Sequence, residues 1–125
     1  MMISFTTSGS YEGVERWLKK LSAFDARQIL ESYGRAGVAA LSGATPVESG
    51  LTAASWSYSV KSSGGSYEIT WVNSNINRGV NIAILLQYGH GTGTGGYVQG
   101  RDYINPAIRP VFDKIAEEAW RAVKP

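Results

Sequence analysis

Residues 55–73 read SWSYSVKSSGGSYEITWVN and carry the clearest structural pattern in the chain. Its large apolar residues occupy every second position on either side of a glycine pair: Trp56, Tyr58, Val60, Tyr67, Ile69 and Trp71. Because successive side chains of a strand point to opposite faces, this period of two predicts two strands with one half-buried aromatic face. Gly64-Gly65 predicts the tight turn, since glycine adopts positive φ angles without a steric penalty. The sequence therefore predicts a central β-hairpin.

Two amphipathic helices are predicted before the hairpin. Their apolar stripes are Val14, Trp17, Leu18 and Leu21 in the first helix, and Ile29, Leu30, Tyr33, Val38 and Leu41 in the second. Ser10 is a candidate N-cap for the first helix, and Asp25 followed by Gln28 has the form of a capping box for the second. Gly43 and Pro46 predict where the second helix ends.

Two glycines interrupt the second helix. Gly34 and Gly37 lie three residues apart on its apolar side. A glycine inside a helix costs about 1 kcal/mol relative to alanine. We expect the close approach of another helix or of the sheet to offset that cost.

Shorter patterns occupy the rest of the chain up to residue 100. Ile3–Thr7 alternates and predicts a short strand or an extended arm. Val80–Gln87 predicts a short helix, although an apolar run of this length also fits a buried strand. Gly89–Gly100 holds six glycines in twelve residues and predicts a loop, in which Tyr97-Val98 could form a brief strand.

The C-terminal residues carry a third helical pattern. Asn105-Pro106 predicts the N-cap and the first residue of this helix. Pro110 then requires either a kink or a later start at that residue, because proline cannot donate a backbone hydrogen bond. Together these elements predict an α+β fold, in which two N-terminal helices and a C-terminal helix pack on a small antiparallel sheet. The length of 125 residues predicts a single domain spanning residues 1–125.

Charge is distributed unevenly along the chain. The net charge is +2, and the chain has no cysteine. Between Ile69 and Gly100 the only formal charge is Arg78, apart from His90. Such a neutral stretch fits a surface that another protein covers, because interface cores are depleted in charge. It fits an internal sheet equally well.

Enzyme and cofactor chemistry find little support in the residues. A catalytic triad could be written from Ser49 or Ser55 with His90 and Asp102, but no nucleophile motif surrounds either serine. The single histidine and the lack of cysteine argue against a metal site. The glycine-rich residues 89–100 lack the lysine of a phosphate-binding loop. We predict neither an enzyme nor a cofactor.

Nucleic-acid and membrane binding are likewise not predicted. Base stacking on the aromatic hairpin would require basic residues on the same face, and Lys61 falls on the opposite one. The first residues carry no signal-peptide pattern, and the longest apolar run is Ile82–Leu86. We expect a protein that stays where it is made unless it is packaged.

Three ordered motifs resemble one family. They are Thr45-Pro46-Val47-Glu48-Ser49-Gly50 followed by Ser55-Trp56, an apolar segment that ends in Tyr88-Gly89, and Tyr103–Ala107 with Pro106 before the closing helix. Together they resemble the head–tail joining, or tail-completion, proteins of the bacteriophage neck. The chain departs from the family at Gln87, where a glutamate is usual, and in lacking an arginine after the motif's glycine.

The resemblance implies a structural role in a virion. Such proteins form a ring around the DNA channel at the head–tail junction of long-tailed phages, between the connector and the tail tube. It implies neck and tail-tube proteins as partners, a homo-oligomer in the virion, and DNA only as passing cargo. The protein would be made in the bacterial cytoplasm and located in the phage neck, with no membrane contact.

Two uncharged, glycine-containing segments are the candidate contacts with these partners. They comprise Gly64, Gly65, His90, Gly91, Thr92, Gly93, Thr94, Gly95, Gly96 and Tyr97. An alternative function is a small-ligand or peptide-binding module, with residues 89–100 as a lid over the aromatic face of the hairpin. A hydrolase that uses His90 is a third possibility.

Overall fold

A computed structural model describes residues 2–7, 11–46, 50–63, 66–91 and 95–123 of the chain. In these ranges the elements are β1 (Met2–Thr6), α1 (Glu12–Lys19), α2 (Ala23–Ala44), α3 (Gly50–Ala53), β2 (Trp56–Ser63), β3 (Ser66–Asn73), β4 (Ile76–Asn77), β5 (Val80–Asn81), α4 (Ile82–Tyr88), β6 (Gly89–Gly91), β7 (Tyr97–Gln99) and α5 (Ile104–Val123). The predicted α+β class is confirmed.

Some predicted residues lie outside the described ranges. They are Ser10, Val47, Glu48, Ser49, Gly64, Gly65, Thr92, Gly93 and Thr94. The roles assigned to them from the sequence stay predictions, with one exception: the N-cap of α1 is Tyr11, without a side-chain capping bond, so the cap predicted at Ser10 is wrong.

The main sheet is antiparallel, with strand order β1-β3-β2. In the predicted hairpin Tyr58 pairs with Trp71 and Val60 with Ile69, so the hairpin is confirmed in the register that its alternation requires. Residues 2–6 add a third strand, with Phe5 opposite Ile69, rather than forming a free arm. The aromatic side chains therefore gather on one face of the sheet.

Helix α2 covers that face at very short range. The indole Nε1 of Trp71 donates a 2.9 Å hydrogen bond to the carbonyl oxygen of Gly34. A Cβ atom at Gly34 would lie 2.3 Å from Cδ2 of Tyr58, and one at Gly37 would lie 2.4 Å from Nε1 of Trp71. The close approach predicted from the two glycines is confirmed.

The ends of α2 correct one prediction and confirm another. Its N-cap is Ser22, whose hydroxyl oxygen accepts from the backbone N–H of Asp25 at 3.0 Å, so the capping box was placed three residues too late. The helix ends at Ala44 because Thr45 takes the extended conformation that a following proline favours. Gly43 lies inside the last turn instead of ending the helix.

Helix α5 begins earlier than its sequence indicated. It runs from Ile104 to Val123, so Asn105 and Pro106 lie inside its first turn and Pro110 lies within the helix. The predicted cap at Asn105 and the start at Pro110 are therefore wrong. Pro106 is tolerated because first-turn N–H groups have no helical acceptor. Helix α5 packs against α1 and α2 and closes the core, where the Phe112 ring lies 5.2 Å from that of Phe5 and 5.8 Å from that of Trp71.

Candidate assembly interface

Residues 74–100 are called the neutral segment below, and their described part forms a helix between two small pairs of strands. Strands β4 and β5 pair before α4, and β6 and β7 pair after it. The short helix predicted for residues 80–87 is confirmed, although its first two residues belong to β5. The segment separates the main sheet from α5 in the chain, and it carries the single formal charge of Arg78 besides His90.

The first hairpin has an unusual turn that sequence reasoning missed. Arg78 has a φ of 52° and Gly79 a φ of 78°. Two successive residues in the left-handed region are the requirement of a type I′ hairpin turn. Gly79 was the available signal, but arginine is an uncommon residue at positive φ. The turn places Arg78 at the tip of an exposed two-strand ridge.

The glycine-rich residues are more regular than predicted. Gly89–Gly91 pairs with Tyr97–Gln99, so a loop is the wrong description of these two stretches, while the brief strand at Tyr97-Val98 is confirmed. Glycine has no side chain, so a glycine-rich strand shows no alternation of apolar and polar residues, and the sequence pattern could not predict this strand. Gly89, with a φ of 87°, forms the C-cap of α4, and Gly95 also has a positive φ.

Large apolar side chains are concentrated on the surface of this region. Six of the ten large hydrophobic residues that are exposed in the described ranges fall between residues 69 and 100, about a quarter of the chain: Val72, Ile76, Val80, Ile84, Tyr88 and Tyr97. This distribution favours a covered surface over an internal sheet, the two interpretations left open by the charge pattern.

Four of these side chains lie on α4 or next to it. Ile84 and Tyr88 are four residues apart on α4 and so share its outer side, and Val80 is exposed on β5 directly before the N-cap Asn81. Tyr97 joins them, because its hydroxyl donates a 3.2 Å hydrogen bond to the carbonyl oxygen of Tyr88. Tyr88 and Tyr97 are 67% and 66% exposed. We call Val80, Ile84, Tyr88 and Tyr97 the apolar row.

A network of asparagines holds the beginning of the neutral segment. The Asn73 amide donates to the Thr52 carbonyl oxygen at 2.9 Å, and the Asn75 amide donates to the Thr52 hydroxyl at 2.8 Å. The Asn81 amide donates to the Asn73 carbonyl oxygen at 3.0 Å, and its own oxygen caps α4 by accepting from the N–H of Ala83 at 3.0 Å. These bonds tie the first hairpin and the start of α4 to α3.

Gln87 holds the end of the segment. Its side-chain oxygen accepts from the backbone N–H groups of Tyr103 and Ile104, each at 3.1 Å, and so caps α5 from a distant position. Its side-chain nitrogen donates to the Asp102 carboxylate at 2.7 Å. A glutamate at this position could accept the same two bonds but would face Asp102 with a like charge. The bonds to Asp102, Tyr103 and Ile104 together therefore favour glutamine here.

Backbone packing fixes the point where the chain returns to α5. A Cβ at Gly100 would lie 2.4 Å from the backbone of Tyr88 and of Gly89, so glycine is required there. The buried Tyr103 hydroxyl donates to the carbonyl oxygen of Ala83 at 3.0 Å, and burial raises the pKa of Tyr103 to about 12. The apolar row is thus presented on a firmly attached helix.

Thr45 and Gly50, the two ends of the Thr45–Gly50 motif, have structural roles in this arrangement. The buried Thr45 hydroxyl donates to the Leu41 carbonyl oxygen at 2.7 Å and accepts from Nε1 of Trp56 at 3.0 Å. Gly50, the last residue of the motif, begins α3. Helix α3 carries Thr52, to which the asparagines are bonded. The motif thus connects α2 to the anchor of the neutral segment.

The geometry gives less support to the alternative functions. Helix α2 occupies the aromatic face of the hairpin, and none of the described residues among 89–100 lines the groove of about 440 Å³ beside Trp56 and Tyr58. No cluster of three potential metal ligands occurs in the described part of the chain. Within the same ranges, no helix has both the length and the apolarity to cross a bilayer.

Comparisons of the chain with protein-family models, with curated proteins and with solved structures found no match.

Proposed function

We propose that this chain is a structural virion protein of a long-tailed bacteriophage. It acts at the head–tail junction as a tail-completion or head–tail joining component, and its copies form a ring around the DNA channel. Two independent lines support this proposal: the three ordered sequence motifs and a surface suited to assembly. The protein does no chemistry of its own.

The single observation that carries the proposal is the uncharged surface of the neutral segment. Its exposed side chains include two tyrosines and three branched aliphatic residues, while its one formal charge besides His90 is Arg78. Aromatic enrichment and charge depletion are the compositional marks of interface cores. Burying this surface against another protein removes apolar area from water, which favours association.

The anchoring of the segment supports the same role. Thr52 and Gln87 hold its two ends through side-chain hydrogen bonds, so α4 keeps its position before any partner arrives. A surface that is already ordered loses less conformational entropy on binding than a flexible one. The partners are the connector or neck proteins, the tail-tube proteins and neighbouring copies of this chain.

Deletion of the gene from the phage that encodes it tests the proposal. Electron microscopy of the lysate should show filled heads and complete tails that are not joined, and the wild-type gene supplied in trans should restore joined particles. A deletion that still yields whole infectious virions at the normal titre would refute the proposal.

A further inference from the structure

A second surface feature, the groove between α2 and α5, lies outside the neutral segment. Its volume is about 450 Å³. Small side chains form much of its wall, and it is lined by Ser32, Tyr33, Ala36, Ala40, Ala107, Pro110, Val111, Lys114 and Glu118. The groove is about three times as large as a cavity that accommodates a benzene ring, so it has room for several side chains.

A buried hydroxyl without a well-formed hydrogen bond lies in this groove. Tyr33 is only 5% exposed, and among the described residues no group meets its hydroxyl at hydrogen-bond geometry. The Glu118 carboxylate is the nearby acceptor: burial first, and then hydrogen bonding to Glu118, raise the pKa of Tyr33, so the hydroxyl keeps its proton at neutral pH. Leaving such a donor unbonded is unfavourable, and a ligand that offers an acceptor would satisfy it.

The groove also holds an acid that forms no ion pair with another described residue. Glu118 takes part in none of the ion pairs formed between described residues, unlike Glu117, which pairs with Arg121 on the same helix. Lys114 lies one turn before Glu118 and is exposed. A cationic group therefore meets attraction at Glu118 and repulsion at Lys114, which favours one orientation of the occupant.

The ridge formed by β4 and β5 has the complementary chemistry. Ile76 and Val80 are exposed on it, and Arg78 stands at its tip. Arg78 is likewise in none of the ion pairs of the described residues. The ridge thus combines apolar side chains for the alanine-lined wall, a guanidinium group for Glu118 and backbone carbonyl oxygens for Tyr33.

We infer that the β4–β5 ridge of one copy docks into the α2–α5 groove of a second copy. Arg78 donates hydrogen bonds to the Glu118 carboxylate of the neighbour, and the neighbour's Tyr33 hydroxyl donates to a carbonyl oxygen of the ridge. Ridge and groove are different surfaces of one chain, so the contact is head-to-tail and repeats into a ring or a filament. The inference rests on the proposed ring and names its subunit contact.

Charge reversal in a phage lacking the gene tests this contact. Arg78→Glu and Glu118→Arg, each supplied in trans, should lower the titre by about tenfold or more, because each leaves like charges facing across a partly buried contact. The double variant should recover most of the loss. Single variants without effect, or a double variant no better than the worse single one, would overturn the inference.

Two further variants separate docking from folding. Glu118→Gln keeps the size of the side chain and should also lower the titre, while its thermal unfolding should match that of the wild type. Asp113→Arg reverses another acid on α5 that does not line the groove, and it should leave the titre unchanged. An Asp113→Arg loss equal to that of Glu118→Arg would contradict the assignment of the groove.

A crosslinking experiment keeps the inference distinct from the proposed function. The chain has no cysteine, so purified Arg78→Cys and Glu118→Cys variants can be mixed and treated with a short bis-maleimide without background thiols. A crosslinker with a spacer is needed because an arginine–glutamate contact holds the two Cα atoms farther apart than a disulfide can bridge. The crosslinked heterodimer should exceed each homodimer by more than the statistical ratio that random coupling gives. If the gene deletion leaves virions whole but the heterodimer forms, only the phage function fails; if heads and tails separate but no heterodimer forms, only the contact fails.

Discussion

Gly37 lies against the indole of Trp71 so closely that a Cβ at this position would be 2.4 Å from the indole Nε1. The same indole nitrogen donates to the Gly34 carbonyl oxygen one turn earlier. The two glycines thus allow α2 to approach the sheet closely enough for a buried tryptophan to find its hydrogen-bond acceptor in the helix backbone. The position of α2 on the sheet depends on this contact.

Replacing Gly37 with alanine should destabilise the protein. The added methyl group overlaps the Trp71 ring, and overpacking of this kind costs about 1–3 kcal/mol, which exceeds the gain of about 1 kcal/mol in helix propensity. Gly34→Ala should behave in the same way, because its Cβ would overlap the Tyr58 ring. Urea unfolding of the purified variants measures both effects.

Gly43 provides the matched control in the same helix. A Cβ there would meet no atom within 4 Å, so Gly43→Ala should gain stability by up to about 1 kcal/mol. Equal effects of alanine at positions 37 and 43 would show that the close packing of α2 on Trp71 has no energetic weight.

Replacing Gln87 should destabilise the protein more than replacing another residue of this short helix. Gln87→Leu removes the acceptor of two backbone N–H groups and the donor to Asp102, and leaving such buried groups unpaired costs about 1–3 kcal/mol each. We expect a fall of several kcal/mol at most in the free energy of unfolding, measured by denaturant titration.

Gln87→Glu separates the roles of the two side-chain atoms. The glutamate can still accept from Tyr103 and Ile104, but at neutral pH it repels Asp102. Its stability should therefore improve when Asp102→Asn is added. If Asp102→Asn gives Gln87→Glu no recovery, the account of why a glutamine stands here is incorrect.

Acid should weaken a link between α1 and the sheet. The Thr7 hydroxyl donates to the Glu15 carboxylate at 3.1 Å, and hydrogen bonds, first from Ser66 and then from Thr7, lower the pKa of Glu15 below its ordinary value of 4.5. A carboxyl group whose pKa is lower in the folded state than in the unfolded state stabilises the fold at pH values above its unfolded-state pKa. This contribution is lost as the pH falls through its folded-state pKa.

Glu15→Gln isolates that contribution. The difference in unfolding free energy between wild type and Glu15→Gln should be present at pH 7 and should shrink below pH 4.5, because protonation abolishes the charge that the variant lacks. When Thr7→Val is already present, Glu15→Gln should lower the unfolding free energy at pH 7 by less than it does in the wild type. A difference that stays constant across this pH range would argue against the hydrogen-bonded carboxylate.

The parts of the fold that depend on neighbouring residues in the sequence could be predicted. Alternation in residues 55–73 gave the hairpin and its buried face, and the spacing of Gly34 and Gly37 predicted the close approach of α2. The aromatic ring that each glycine meets could not be predicted, because Tyr58 and Trp71 are distant in sequence and join α2 only in the folded chain.

The candidate interface was predicted in outline only. Missing charge marked residues 69–100, but the same pattern fitted a buried sheet until the exposure of Tyr88 and Tyr97 was known. The cap at Gln87 acts on residues 16 and 17 positions away, beyond the range of capping motifs. The type I′ turn could not be predicted from Arg78, because arginine rarely adopts the left-handed conformation and here the hairpin imposes it.

The apolar row provides the most direct test of the central claim, that the chain works by assembly through its uncharged surface. Ile84→Lys combined with Tyr88→Lys places two charges in that row, and the lysine stems retain part of the packing. Phe24→Lys, at an apolar residue outside the neutral segment that is about as exposed as Tyr88, is the control. All variants should remain folded by circular dichroism.

The deciding measurement is electron microscopy of lysates in which each variant complements the deletion phage. The double variant should give filled heads and separate tails, whereas Phe24→Lys should give joined virions as the wild type does. Joined, infectious particles at the wild-type frequency with the folded double variant would contradict the assembly role of this surface.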